Sequence, residues 1–140
     1  MGLDQAIQDW WQATRDLTTL VPVDRVASEI RQTDETLPDD EDEDFFFDDC
    51  VVHQITTDSL WRTNSGQGYQ STVILSAYSF EEDDAKRIID TARLNWDRET
   101  FLGSTSKITL CHFGETVTEQ DEEESLWVSE VTITMNHTRA

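Results

Sequence analysis

Between Cys50 and Asn136 the sequence reads as two strands, a capped amphipathic helix and two more strands, and this order limits the fold more than any single residue does. Segment 69–78 sets Val73, Leu75 and Ala77 against Ile74, Ser76 and Tyr78, so a strand with apolar groups on both faces, central in its sheet, is expected there. It runs straight into Ser79-Phe80-Glu81-Glu82, which has capping-box spacing: the Ser79 hydroxyl can accept from the amide three residues on while Glu82 reaches back to the Ser79 N–H. Beyond it Ala85, Ile88, Ile89, Ala92 and Trp96 recur at helical spacing and predict a helix with one buried face, stopped after Phe101-Leu102 by Gly103. The first strand is expected at 50–57, joined to the second by a loop over 58–68 whose Asn64-Ser65-Gly66 and Gly68 are turn formers. The third is expected at 107–118. The last alternates most cleanly, with Trp127, Val131, Ile133 and Met135 on one face and Val128, Glu130, Thr132 and Thr134 on the other.

Upstream, Ile7, Trp10, Trp11, Thr14, Leu17 and Leu20 line one side of a predicted helix over 4–20, which Pro22 terminates because proline disfavours helical geometry in the residue before it. Segment 23–36 carries mixed signals and reads as irregular, with room for one short strand or helical turn. Residues 39–44 are six consecutive acids followed by Phe45, Phe46 and Phe47; adjacent carboxylates repel one another and favour a solvated chain. The expected architecture is a single α+β domain over 1–140, with a roughly four-stranded, mostly antiparallel sheet, helices on one face, the order α-β-β-α-β-β and a mobile acidic loop at 34–49.

A chain of 140 residues can bury a self-sufficient core, and five Trp, six Phe and two Tyr concentrate its apolar area in few side chains. Thirty acidic residues against ten basic ones give a net charge of −20, which disfavours wrapping of nucleic acid or adhesion to an anionic membrane. Three readings of that charge remain: adaptation to a saline cytoplasm, a repulsive lining past which DNA slides, or a docking surface for a basic partner. The opening residues lack a basic segment followed by an apolar run, and Ala6 stands where a myristoylation pattern needs Ser or Thr, so a soluble intracellular protein without lipid is expected. Cys50 and Cys111 fall inside predicted strands and are expected to be reduced and packed.

Chemistry-bearing patterns are sparse. Cys50 with His53, and Cys111 with His112, supply thiol and imidazole, but such spacings in a strand send the paired side chains to opposite faces, against the convergence zinc requires. The six-acid run lacks the spaced ligands and central glycine of a calcium loop. Nucleophile elbow, phosphate loop and HExxH patterns are absent from the sequence, and the dense carboxylates fall in loops rather than a cleft. No enzyme activity, cofactor or metal is therefore expected.

The layout of an opening helix bearing Asp16-Leu17-Thr18-Thr19-Leu20-Val21, an acidic connection, a strand Cys50-Val51-Val52-His53-Gln54-Ile55, the strand 69–78, the helix 82–96 and a closing strand pair resembles the phage tail terminator or tail-completion proteins, small α+β head–tail joining subunits. The resemblance covers nearly all of the chain; the acidic, triple-Phe stretch and the high acid content depart from it. It implies a virion assembly protein: a homo-oligomeric ring, hexameric in that family, capping the tail tube and meeting the head connector, with DNA passing without specific binding. Such a subunit would assemble in the host cytoplasm and remain in the virion. Contact residues are then expected on the loops and the aromatic run: Phe45, Phe46 and Phe47, Trp61 and Arg62, and the acids Asp121, Glu122, Glu123 and Glu124. The alternatives are an acidic non-catalytic binding module adapted to a saline cytoplasm and a head-closure protein.

Overall fold

The computed structural model describes residues 2–28, 49–63, 66–121 and 125–139. In chain order these form α1 (Gly2–Ala13), α2 (Arg15–Leu20), a 3-10 turn (Val23–Arg25), β1 (Val26–Ser28), β2 (Cys50–Thr63), β3 (Gly66–Ser79), α3 (Glu82–Trp96), β4 (Phe101–Leu102), β5 (Ser106–Asp121) and β6 (Leu126–Arg139). The strands make one six-stranded sheet, ordered β1-β2-β3-β6-β5-β4 and curled as a half-barrel. β1 runs parallel to β2 and every other neighbouring pair is antiparallel.

The four-stranded sheet in α-β-β-α-β-β order is thus overturned: the sheet is mixed and has six strands. The two additional strands lie at its edges and hold three and two residues. Neither is long enough for a period-two pattern to emerge. β4 consists of the Phe101-Leu102 pair assigned above to a helix end; the helix stops at Trp96, where the Asp97 N–H closes onto Arg93 O and Arg98 turns to φ 65°. Gly103 serves close approach instead of helix termination, since a Cβ there would stand 3.0 Å from Ser106 O and 3.2 Å from Ala6 Cα and Cβ.

The start of α3 also departs from the expected capping box. Ser79 is still paired with Trp127 as the last residue of β3, and its hydroxyl accepts from the Glu81 N–H at 3.2 Å; Glu81 itself is the N-cap residue. Glu82, Asp83 and Asp84 put negative charge in the first turn, where it complements the helix dipole. The buried face of α3 is the anticipated stripe: Ala85, Ile88, Ile89, Ala92 and Trp96.

The predicted helix over 4–20 is broken at Thr14, whose backbone is extended. The Thr14 hydroxyl donates to Trp10 O at 2.7 Å and accepts from Trp96 Nε1 at 3.0 Å, an example of a threonine side chain competing with helix continuation. The break lets α2 fold back so that Trp11 Nε1 donates to Val21 O at 2.8 Å. Trp10 stacks on Trp96 at 4.5 Å and on Phe101 at 5.4 Å, and Trp11 meets Trp96 edge-on at 5.8 Å. Aromatic contacts of this kind are worth about 0.5–1.5 kcal/mol each beyond burial. They join α1, α3 and β4 over one face of the sheet, against Val73, Leu75, Ala77, Val131, Ile133 and Met135.

Candidate functional site

Strand register decides where the expected contact residues fall. Trp61 and Arg62 do not lie in a loop: β2 continues to Thr63, pairing Trp61 with Gly68 and Arg62 with Gln67. β6 follows β3 only as far as Tyr69 opposite His137, so the β2–β3 hairpin runs on beyond the sheet with Trp61 and Arg62 in its projecting part. The turn formers Asn64-Ser65-Gly66 and Gly68 do join β2 and β3 as a hairpin, but with a much shorter connection than 58–68, because the ladder carries both strands on to Thr63 and Gly66.

Asp121 sits at the other end. β5 extends to Asp121, which pairs with Leu126, so the turn into β6 lies beyond the Tyr78–Val128 and Glu119–Val128 pairs. Ten residues of β3 separate the two ends, about 33 Å at ordinary strand rise. The fold therefore separates the Trp61–Arg62 hairpin from Asp121 rather than bringing them together. Phe45, Phe46, Phe47, Glu122, Glu123, Glu124 and all but one residue of the 34–49 loop lie outside the described residues.

The sheet face away from the helices is the larger exposed feature. Along β6, Val131, Ile133 and Met135 are fully buried while Glu130 and Thr132 between them are exposed. Ser76 Oγ on β3 donates to Glu130 Oε2 at 3.2 Å, and Gln70 Nε2 to Asn136 Oδ1 at 3.1 Å, so polar cross-strand pairs tie this face. Leu110 and Val117 on β5 are 45 % and 54 % exposed. Edges matter equally, because unpaired strand edges invite another chain. β4 covers β5 only at Lys107 and Ile108. Arg98 N–H then donates to Cys111 O at 2.8 Å and Asp97 Oδ1 accepts from Phe113 N–H at 2.9 Å. The bulge between Phe113 and Thr116 is held by Arg93, whose Nη2 donates to Gly114 O at 2.6 Å and Thr116 Oγ1 at 2.8 Å. Past that clamp no described strand pairs with the outer edge of β5.

Three polar groupings carry nucleophilic, acid–base or metal-binding side chains. Cys50 is paired with Tyr78 and His53 with Leu75, on opposite faces; Cys111 is buried on the helix-covered face while His112 is largely exposed. Burial, and then the Asp97 charge, push the Cys111 thiol up to about 12, which leaves it protonated and unreactive near neutrality. His53 is fully buried at the margin of the core, where the Gln8 amide nitrogen lies 3.2 Å from its Nε2 and also donates to Val26 O at 2.8 Å. An amide NH2 can only donate, so Nε2 accepts from Gln8, and Nδ1 stands 3.4 Å from Asp4 Oδ1. That nitrogen has no hydrogen-bond partner among the described groups. Asp4, Gln8 and His53 border a surface hollow of about 390 Å³ with Asp9, Gln12 and Ser28.

The third grouping carried no sequence signal, because its members are sixty-six positions apart and form no motif. Ser71 Oγ stands 2.8 Å from His137 Nε2, and Tyr69 stacks on the His137 ring at 5.6 Å. A hydroxyl against an imidazole is the geometry of an activated nucleophile. Ser71 is only 1 % exposed, however, so a substrate cannot reach its oxygen, and the pair acts as a polar clamp between β3 and β6. Among the described residues no group of three or more His, Cys, Asp or Glu side chains could hold a metal ion, and no helix is long and apolar enough to cross a membrane.

No protein-family model matches the sequence, and no curated protein matches it either. In three dimensions the chain is similar to a chain of a solved structure described as the virion of a native gene transfer agent particle, with a TM-score of 0.68 and 12 % identity, over 99 % of this chain and 96 % of that one. At that identity the likeness is one of fold, and it extends over the whole of both chains.

Proposed function

We propose that this chain is a structural subunit of a phage-like virion, and more narrowly a tail terminator or tail-completion protein. The observation that carries the reading is the fold it has in common, end to end, with a virion chain. The layout of its sequence independently resembles the tail-completion family. Its histidines and cysteines are buried, clamped or on opposite faces, which suits a protein that works by contact instead of catalysis. In this reading copies of the chain form a ring on the end of the tail tube, and the head connector docks on the ring. The charge of −20 then keeps DNA phosphates from adhering as the genome passes.

The projecting β2–β3 hairpin, with Trp61 and Arg62, and the β5–β6 turn, with Asp121, lie at opposite ends of the sheet, as contacts to two different neighbours along a tube axis require. Native mass spectrometry over a concentration series, alone and with the tube protein of the same particle, tests this. Discrete ring-sized species that grow with concentration, or that form on tube ends, are expected. A strict monomer under all these conditions would sink the proposal.

A further inference from the structure

We propose that the lower edge of β5, residues 116–121, is a docking site for an extended basic segment of a partner protein, which adds a strand to the sheet there. This inference stands on the edge and its charges and does not rest on the virion reading. These six residues, without a neighbouring strand on that side among the described residues, span about 20 Å, the length of an ordinary strand. The upper part of the same edge is closed by β4, Arg98 and Asp97, and the bulge by Arg93, while the part below is left without a described partner strand. The ladder with β6 continues to Asp121 opposite Leu126, so the open edge is extended and in register for addition.

The chemistry of the partner follows from the side chains beside that edge. Val117, 54 % exposed, is flanked along the strand by exposed Glu115 and Glu119 and faces Glu130 across the ladder. A strand laid against this edge therefore meets one apolar contact between carboxylates. A strand in which lysine or arginine alternates with an apolar residue presents all its cations to this face, ammonium groups to Glu115 and Glu119 and a methylene stem over Val117, and cross-strand opposite charges stabilise while like charges destabilise. A second copy of the chain is disfavoured by the same rule. Antiparallel self-pairing centred on Val117 would set Glu115 of each copy against Glu119 of the other, and Glu119 and Glu115 again at the far end. The carboxylates thus block the edge to itself and open it to a basic strand, a common way of managing an exposed edge.

The test uses the full-length protein and a fluorescent octapeptide alternating lysine with valine, followed by anisotropy and by amide hydrogen exchange. Binding is expected, with new protection confined to 116–121. Glu115→Lys combined with Glu119→Lys should weaken it about tenfold or more, as should N-methylation of alternate peptide amides, which removes backbone hydrogen bonds and keeps the charge. The proposal is overturned if the lysine peptide does not bind, if the N-methylated peptide or a glutamate–valine peptide binds equally well, or if protection falls elsewhere.

Discussion

The two faces of the sheet are built from the same strands and differ by one residue of phase. On the helix side, Leu75, Ala77, Val131, Ile133 and Met135 are fully buried beneath α1 and α3. On the other side Glu130 and Thr132 alternate with them on β6 in water. Because side chains alternate strictly along a strand, a shift of one residue would exchange the two faces, so the register is held by the apolar side. The contrast teaches that stability and contact have been divided between faces. Substitutions on the covered face should unfold the protein, and those on the open face or edge should leave it folded and alter what it touches.

The largest expected effect is at Trp96. It is fully buried, stacks on Trp10, meets Trp11 edge-on and donates to Thr14 Oγ1. Trp96→Ala should cost about 3–5 kcal/mol in denaturant unfolding, through the cavity and the lost bond to Thr14 Oγ1. On the open face Val117→Thr should change stability by no more than about 0.5 kcal/mol. Similar losses at the two sites would break the division.

How much of this was readable beforehand depends on the length of each signal. The α3 stripe from Ala85 to Trp96 emerged correctly because five apolar positions repeat at helical spacing within a helix of fifteen residues. β6 emerged because its alternation is unbroken. β4 did not, since two residues hold no period, and β1 showed only as room for one short strand within 23–36, because its partner β2 is twenty-five positions on. The break at Thr14 depends on a bond from Trp96, and the conversion of the Trp61–Arg62 loop into strand depends on the ladder to β3. The site was less readable for a related reason: an open strand edge is a property of what is absent beside a strand. Of the expected contact residues only Trp61, Arg62 and Asp121 fall among those described, and they mark two ends of the molecule instead of one patch.

Arg93 joins the two regions and gives a smaller, sharper test. It reaches from α3 to hold the β5 bulge through Gly114 O and Thr116 Oγ1, and lies 5.6 Å from the Phe113 ring centroid. Arg93→Met retains much of the stem and removes the donors, and should cost about 1–3 kcal/mol. Exchange at the Thr116 and Thr118 amides should accelerate more than at Met135. Equal acceleration throughout would mean that the clamp supports the whole fold and not the edge.

Titration separates a buried group from an exposed one on the helix side. The Cys111 thiol, ordinarily near 9.0, is raised to about 12 in the folded chain by burial and the Asp97 charge. A raised folded value means that the unfolded chain loses this proton first, so its contribution is fully present below pH 9 and is lost as pH rises from 9 toward 12. Iodoacetamide should label Cys111 slowly at pH 8 and rapidly once the chain is unfolded. Asp9 behaves oppositely: hydrogen bonds from the Ser104 N–H, then Gln5 and the Ser104 hydroxyl, hold its carboxyl below the usual 3.8. Its contribution is present above that value and fades as pH falls through the lowered one, and Asp9→Asn should remove this acid-limb dependence while leaving the alkaline limb.

The smallest effect is expected at the carboxylates that flank Val117. Neutralising Glu115 and Glu119 to glutamine relieves repulsion among exposed carboxylates in a chain carrying −20, so stability should hold or rise by no more than about 0.5 kcal/mol at low salt. The difference should vanish in about 0.5 M NaCl, because exposed charges are then screened within a few ångströms. A destabilisation that persists in high salt would mean that these carboxylates hold the β5 edge in place through specific bonds, and the open face would then share the structural role assigned to the covered one.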